Sequence, residues 1–292
     1  MQATIVRSEG LDKFYTLPTI ASQCISLLTQ HYAWDNWDLV IEPSAGNGSF
    51  FTQIPVSYKI GLDIQPEHAE IIQCDYFTYV PPTSVPPTSV PPTNKQNILV
   101  LGNPPFGKVC SLAIQFFQHS AKIANVIAFI VPRTFRKVSV QNKLDPYFHL
   151  ILDHELPTKP CCFEPAMMVK CCFQIWEKRS ETRPIVKLPT THCDWTFLSL
   201  GPNDENGQPT PPENADFTVR AYGGKCGEIK TSGLATLRPK SWHWIKSNID
   251  VHSLIQRFQQ LDYSNSLNTA RQNSMGRGEF VRLYSELFDT EM

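Results

Sequence analysis

Short apolar runs, each closing in a polar or glycine-bearing turn, recur through the first 180 or so residues and leave few folds open. Residues 39–41, 59–64, 71–75, 97–101, 126–131, 150–156 and 167–176 each read as a strand. Helical spacing falls between them. Ile20, Cys24, Leu27 and Leu28 share a face over residues 17–28 with Pro18 near the start, and Ala113, Phe116 and Phe117 do so over 112–121. Strands that are apolar throughout, rather than alternating, belong to a sheet covered on both faces. The order is βαβ-like, so the expectation is an α/β fold: a Rossmann-like sheet, mostly parallel, with helices on both faces. That core is complete by about Arg179.

The expected organisation is therefore residues 1–179 as one domain and 180–292 as a smaller α+β extension. The second part is rich in Pro, Asn and Gly over 201–214, then carries a hairpin (Phe217 to Arg220, Gly223-Gly224, Ile229) and helices at 251–258 and 278–287. One segment breaks the first domain. Val80-Pro-Pro-Thr-Ser84 is repeated at 85–89 and, less its last residue, at 90–93. Consecutive prolines exclude helix and sheet interior, so 80–93 reads as an extended tether inserted in a loop.

Composition narrows the class. With 41% hydrophobic and 18% charged residues the chain has enough apolar material for a real core, and the 26 Lys+Arg against 27 Asp+Glu leave no bulk charge to attract a partner. The longest clean apolar run is far too short for a membrane span, and the first residues lack an apolar leader. Nine cysteines, an odd number, read as reduced thiols in a cytoplasmic compartment. Cys161-Cys162 and Cys171-Cys172 do not have zinc-ligand spacing, and the histidines show no HxxxH, so no metal is expected.

Chemistry gathers at the strand ends. The strand at 39–41 runs into Glu42-Pro-Ser-Ala-Gly-Asn-Gly48, whose glycines Gly46 and Gly48 let backbone approach a ligand where a helix should begin. A dinucleotide fingerprint needs a third small residue where Phe51 stands, and Glu42 would crowd a pyrophosphate. An acid there suits an amine-bearing ligand better. Asp63 ends the next strand, placed to accept two ribose hydroxyls, and Asp75-Tyr76 end the third, offering an acceptor and an aromatic face to an adenine. After the strand at 97–101 comes Asn103-Pro-Pro-Phe106. Its prolines hold the Asn103 amide oxygen and the Pro104 carbonyl side by side, two acceptors for one planar NH₂, with Phe106 as a stacking face.

Glu42-Pro-Ser-Ala-Gly-Asn-Gly with Asn103-Pro-Pro-Phe resembles the S-adenosylmethionine-dependent class I methyltransferases that act on amino groups, chiefly the N6-adenine branch. Asp12-Lys-Phe-Tyr-Thr16 with Pro18 is similar to that branch's N-terminal cofactor segment, although Leu17 intervenes before the proline. The likeness spans roughly residues 11–179, with the motifs in the family's order. It implies S-adenosylmethionine as cofactor, lined by Tyr15 and Thr16. Glu42, Ser44, Ala45, Gly46 and Gly48 would hold its methionine part, Asp63 and Ile64 the ribose side, and Asp75 and Tyr76 the adenine. Asn103, Pro104, Pro105 and Phe106 would receive the target amine, with Asn103 also meeting the cofactor.

The same Asn-Pro-Pro-aromatic device serves enzymes acting on a protein glutamine or a guanine amine, so the motif fixes a planar NH₂ and leaves the macromolecule open. Charge points toward nucleic acid, DNA or RNA. Lys108, Arg133, Arg136 and Lys137 follow the catalytic strand ends and are expected to meet substrate. Between 215 and 282 ten lysines and arginines face five acids, with Phe217, Tyr222, Trp242 and Trp244 interleaved. A protein-glutamine methyltransferase and a non-catalytic nucleic-acid-binding member are the rival readings, and the oligomeric state is not legible.

Overall fold

A computed structural model describes residues 13–82 and 96–289. The repeat from residue 83 to 93, and with it most of the expected tether, lies outside the described residues. The chain divides into two compact units, Met1–Ile185 and Val186–Met292.

In the first unit the elements run β1 (Tyr15–Thr16), α1 (Pro18–Thr29), β2 (Leu39–Glu42), β3 (Lys59–Asp63), β4 (Ile72–Gln73), β5 (Ile98–Gly102), α2 (Ser111–Ser120), β6 (Val126–Pro132), α3 (Val138–Gln141), β7 (Phe148–Glu155), β8 (Phe163–Glu164) and β9 (Cys171–Lys178). Seven strands form one sheet in the order β4-β3-β2-β5-β6-β9-β7. β4, β3, β2, β5 and β6 pair in parallel, and β9 enters antiparallel between β6 and β7. This is the mostly parallel, Rossmann-like sheet with the antiparallel last strand that the sequence leads one to expect.

The reason the central strands sit where they do is plain in their burial. β2, β5 and β6 are buried at every residue, so both faces are covered. On one face Leu39, Ile41, Ile98, Val100, Ile127 and Phe129 pack with Ala113, Phe116 and Phe117 of α2. α1 starts on Pro18, whose missing N–H costs nothing at a helix start, and buries Ala21, Cys24 and Leu28. From β2 the chain steps outward to β3 and β4, then returns to β5 on β2's other side. The carboxyl ends of β2 and β5 therefore flank the reversal point, where such sheets bind ligands.

Two expectations need correction. No α-helix follows the glycine turn: a 3₁₀ turn at Phe51–Gln53 is all that forms before Pro55 and β3. The strand expected from Met167 starts only at Cys171. Met167 is held in a loop whose N–H and carbonyl both meet the Cys161 thiol, at 3.2 Å each.

The second unit has its own sheet of β10 (Trp195–Phe197), β11 (Phe217–Arg220), β12 (Ile229–Lys230) and β13 (Trp242–Ser247), in the order β10-β13-β11-β12, all antiparallel. α4 (Val251–Gln259) and α5 (Arg277–Phe288) complete it. Its core joins Trp195, Phe217, Val219 and Ile245 from the sheet to Leu254, Phe258, Phe280 and Tyr284 from the helices. The hairpin expected around Gly223-Gly224 is present as β11 and β12. No described helix is long and apolar enough to cross a membrane.

Candidate active site at the carboxyl ends of β2 and β5

Glu42 ends β2 inside the protein, with 2% exposure, and its Oε2 has no hydrogen-bond partner among the described residues. Burial holds its carboxyl well above the ordinary carboxylate range, partly opposed by a backbone hydrogen bond from Phe51. Gly102, at the end of β5, makes room for it. Its φ is +151°, and a Cβ there would lie 3.1 Å from the Glu42 Cγ.

The turn after Glu42 is tied to β3 by a carboxylate. Asp63 Oδ2 accepts from the Gly46 N–H at 2.9 Å and Oδ1 accepts from the Gln65 N–H at 2.8 Å. Each oxygen keeps a lone pair for a further donor. Gly46 adopts φ +51°, and a Cβ on it would come within 2.7 Å of the Tyr15 ring. Tyr15 thus lies against the turn, and its hydroxyl donates to Glu67, which also receives Lys13 Nζ at 3.1 Å. The Glu67 N–H in turn donates to the Gly46 carbonyl at 2.9 Å. Lys13, Tyr15, Glu67, Gly46 and Asp63 are one connected group. Lys13 lies in the Asp12-Lys-Phe-Tyr-Thr16 segment, whereas Glu67 has no motif around it.

Asn103 is reached through Ser44, whose hydroxyl donates to the Asn103 carbonyl at 2.9 Å. This bond fastens the two sequence motifs together. The Asn103 Oδ1 is buried and has no partner among the described residues. Pro104 is buried, while Pro105 and Phe106 are half-buried. The Phe106 ring meets Phe163 edge-on at 6.4 Å between centroids. Phe163 belongs to β8, which pairs with β1 so that Thr16 stands opposite Phe163, and the Leu17 N–H donates to the Cys162 carbonyl. Thr16 is buried, and its Oγ1 is the third unpartnered oxygen here. Orphaned buried polar atoms cost about 1–3 kcal/mol each. Three of them lie here, on β1, at the end of β2 and just after β5, segments that these contacts join.

The remaining residues sort differently. Ala45 is buried, its N–H bonded to the Leu62 carbonyl, and Gly48 closes the turn on the Ala45 carbonyl at 2.7 Å. Ile64 follows Asp63 and is 48% exposed. Asp75 accepts from the Phe77 N–H at 3.0 Å, capping a short turn. Tyr76 does not face a ligand. It is 2% exposed, its ring stacks on Phe116, and its hydroxyl bonds Ser120 at 2.9 Å. The exposed aromatic at this strand end is Phe77.

Of the expected substrate cations, Lys108 is exposed. Arg133 is buried and pairs with Glu155 at 2.6 Å. Arg136 grips Asp153 through Nε and Nη2 and also meets Glu155, which raises its pKa further. Both guanidiniums are spent on the edge of the sheet. Lys137 gives its carbonyl to the Val140 and Gln141 N–H groups at the start of α3. In the second unit Phe217, Trp242 and Trp244 are core residues, leaving Tyr222 as the exposed ring among the four.

None of the nine cysteines is in a disulfide. One described trio, His192, Cys193 and Asp194, is close enough to hold a metal, but Asp194 is already paired with Arg257 at 2.9 Å.

No protein-family model and no curated protein matches the chain. Solved structures do. The 23S rRNA methyltransferase ErmE is similar at 16% identity over 57% of this chain and 71% of its own, with a TM-score of 0.41. A provisionally assigned RNA methyltransferase of Pyrococcus horikoshii is similar at 14% identity over 59% and 90%, with a TM-score of 0.42. A provisionally assigned class I S-adenosylmethionine-dependent methyltransferase of Listeria monocytogenes follows at 15% identity over 57% and 61%, with a TM-score of 0.38. Likenesses this distant assign neither substrate nor activity.

Proposed function

We propose that the chain is an S-adenosylmethionine-dependent methyltransferase acting on an exocyclic amine of a nucleic-acid base, adenine N6 foremost. The observation that carries this reading is the unpartnered Asn103 Oδ1, buried just after β5, together with the unpartnered Glu42 Oε2 at the end of the neighbouring β2. The residues fit the cofactor. Glu42 offers a buried carboxyl that ionises against the methionine ammonium, the Gly46 turn offers close backbone, and Asp63 retains an acceptor on each oxygen for ribose hydroxyls. No α-helix begins at the turn to favour a pyrophosphate. When bound, the cofactor supplies an electrophilic methyl on a sulfonium.

An aromatic NH₂ is a poor nucleophile because its lone pair is delocalised into the ring. Asn103 Oδ1 and the Pro104 carbonyl accept its two hydrogens and draw the nitrogen toward tetrahedral geometry, which localises the lone pair. Phe106 holds the ring plane. With the cofactor bound, the methyl–sulfur bond would break, its electron pair staying on sulfur, as the N–C bond forms; one N–H proton leaves the nitrogen for solvent, and no strong base is needed. Positioning of this kind supplies on the order of 7–11 kcal/mol at best.

The test is incubation with methyl-labelled cofactor and separate pools of DNA, RNA and protein, followed by digestion of the nucleic acid to nucleosides. N6-methyladenine is the expected product. N2-methylguanine would keep the mechanism and move the base, and label confined to protein would sink the nucleic-acid reading. Asn103→Ala is expected to abolish turnover while cofactor affinity stays within about twofold of wild type.

A further inference from the structure

Two sets stand out among the cations of the second unit. Arg220 pairs with Glu228 at 2.9 Å, Lys246 with Asp216 at 2.7 Å, Arg257 with Asp194 at 2.9 Å and Arg282 with Glu286 at 2.6 Å. Arg238, Lys240 and Arg271 are exposed and have no carboxylate or hydrogen-bond partner for their side chains among the described residues. Backbone contacts gather this second set around one aromatic ring.

Tyr222 follows β11 and is 46% exposed. Its N–H donates to the Ser241 carbonyl at 3.2 Å, and the Ser241 N–H donates to the Arg238 carbonyl at 3.1 Å, closing the turn that carries Arg238 and Lys240. On the other side Tyr222 bridges to Ser274, and the Gly223 N–H donates to the Asn273 carbonyl at 2.9 Å, two residues beyond Arg271. Tyr222 therefore stands between two segments that each present free cations. Its own carbonyl accepts from Arg220 Nε at 3.2 Å, and that guanidinium lies over the Trp242 ring at 5.3 Å. The aromatic is thus mounted on a fixed base. The nearby acid, Glu228, is held by Arg220, and Glu279 caps the Gly276 N–H at 2.8 Å.

We propose that this face of the second unit binds single-stranded nucleic acid, with a base stacked on Tyr222 and phosphates met by Arg238, Lys240 and Arg271. The proposal rests on the reading of nucleic acid as substrate and gives it a surface outside the methyl-transfer site. An exposed ring between unpaired cations serves a chain that alternates bases with phosphates. A polyanion without bases would engage the cations and leave the ring unused.

The experiment uses the full chain, a fluorescent single-stranded oligoadenylate and inorganic polyphosphate as a base-free polyanion, each titrated at several salt concentrations. The variants are Tyr222→Ala and the triple variant Arg238→Gln, Lys240→Gln, Arg271→Gln. The triple variant is expected to lose at least about tenfold in oligonucleotide affinity and to flatten the log–log salt slope by about 2, three phosphate contacts at about 0.7 each. Tyr222→Ala is expected to lose about tenfold on the oligonucleotide with an unchanged slope and nothing on polyphosphate. An unchanged slope in the triple variant overturns the proposal. So does a Tyr222→Ala loss that is equal on both probes or absent from both, the outcome for an acidic-protein surface. Methyl transfer separates this from the activity reading. Label entering nucleic acid with the same KM in the triple variant removes the surface and keeps the activity. Weakened binding in the triple variant, of a protein whose wild type labels no nucleic acid, keeps the surface and removes the activity.

Discussion

A buried carboxyl with a bare oxygen destabilises the molecule that holds it unless something arrives to meet it. Glu42 has its pKa raised by burial, so the folded chain takes up a proton that the unfolded chain has released. The stability it contributes is therefore lost as pH rises from the ordinary carboxylate range through its raised value. Glu42→Gln is expected to unfold at a higher temperature than wild type at neutral pH, while binding the cofactor's demethylated product about 2 kcal/mol more weakly. An ammonium brought against Glu42 lowers its pKa again, so wild-type binding should release a proton that the Gln variant does not. Calorimetry in two buffers of different ionisation heat reads that proton directly, and equal release in both proteins would take Glu42 out of the site. Asp63 works the other way. It spends both oxygens on N–H groups, and Asp63→Asn turns an NH₂ toward either Gly46 or Gln65. The expected result is weaker binding by about 1–3 kcal/mol together with a lower melting temperature, both measurable by titration and thermal scan.

At the scale of elements, what could be read in the sequence depended on whether burial was one-sided or two-sided. β2, β5 and β6 announce themselves because a strand covered on both faces must be apolar at every position. β13 does not, because Trp242-His-Trp-Ile245 mixes a polar residue into a partly buried run and the tryptophans can equally be surface stacking groups. Tyr76 misleads for a related reason. An aromatic after a strand-end acid can face ligand or core with the same sequence, and only packing on Phe116 decides. The candidate site was legible where its chemistry is local, at Glu42, Asp63 and Asn103. Tyr15 and Thr16 were named through the resemblance, but their pairing with β8 was illegible, since two residues at a time pair across a separation that no pattern reveals. That pairing lays Tyr15 on Gly46, and it can be tested. Gly46→Ala forces a side chain into φ +51° and onto the Tyr15 ring, with the backbone strain alone costing about 1–2 kcal/mol. Combined with Tyr15→Ala, which vacates the space, the two losses should sum to more than the double variant shows. Strict additivity in a denaturation cycle would mean that ring and turn do not meet.

At the scale of the whole molecule, the main core of each unit carries its own linkage. The first holds the sheet and α2, and the second gathers Trp195, Phe258 and Phe280. His243, in β13, is pushed down to about 4 by burial, against the opposing hydrogen bond it makes to the Met275 carbonyl. An imidazole kept neutral in the folded state and ordinary in the unfolded one, near 6.5, contributes stability above about pH 6.5 that is lost as pH falls toward 4. Ligand stabilisation belongs to the first core, where binding at a hundred times Kd adds about 2.7 kcal/mol. Hydrogen exchange can therefore assign each effect to its place. The cofactor's demethylated product is expected to slow exchange at β1, at the turn from Glu42 to Gly48 and at Asp63. Acidification from pH 6.5 to 5 is expected to speed it at β13 and α5, and less so in His243→Asn, which has no imidazole to protonate. If that variant loses protection with pH as wild type does, the acid sensitivity comes from other groups and His243 is only a packed side chain.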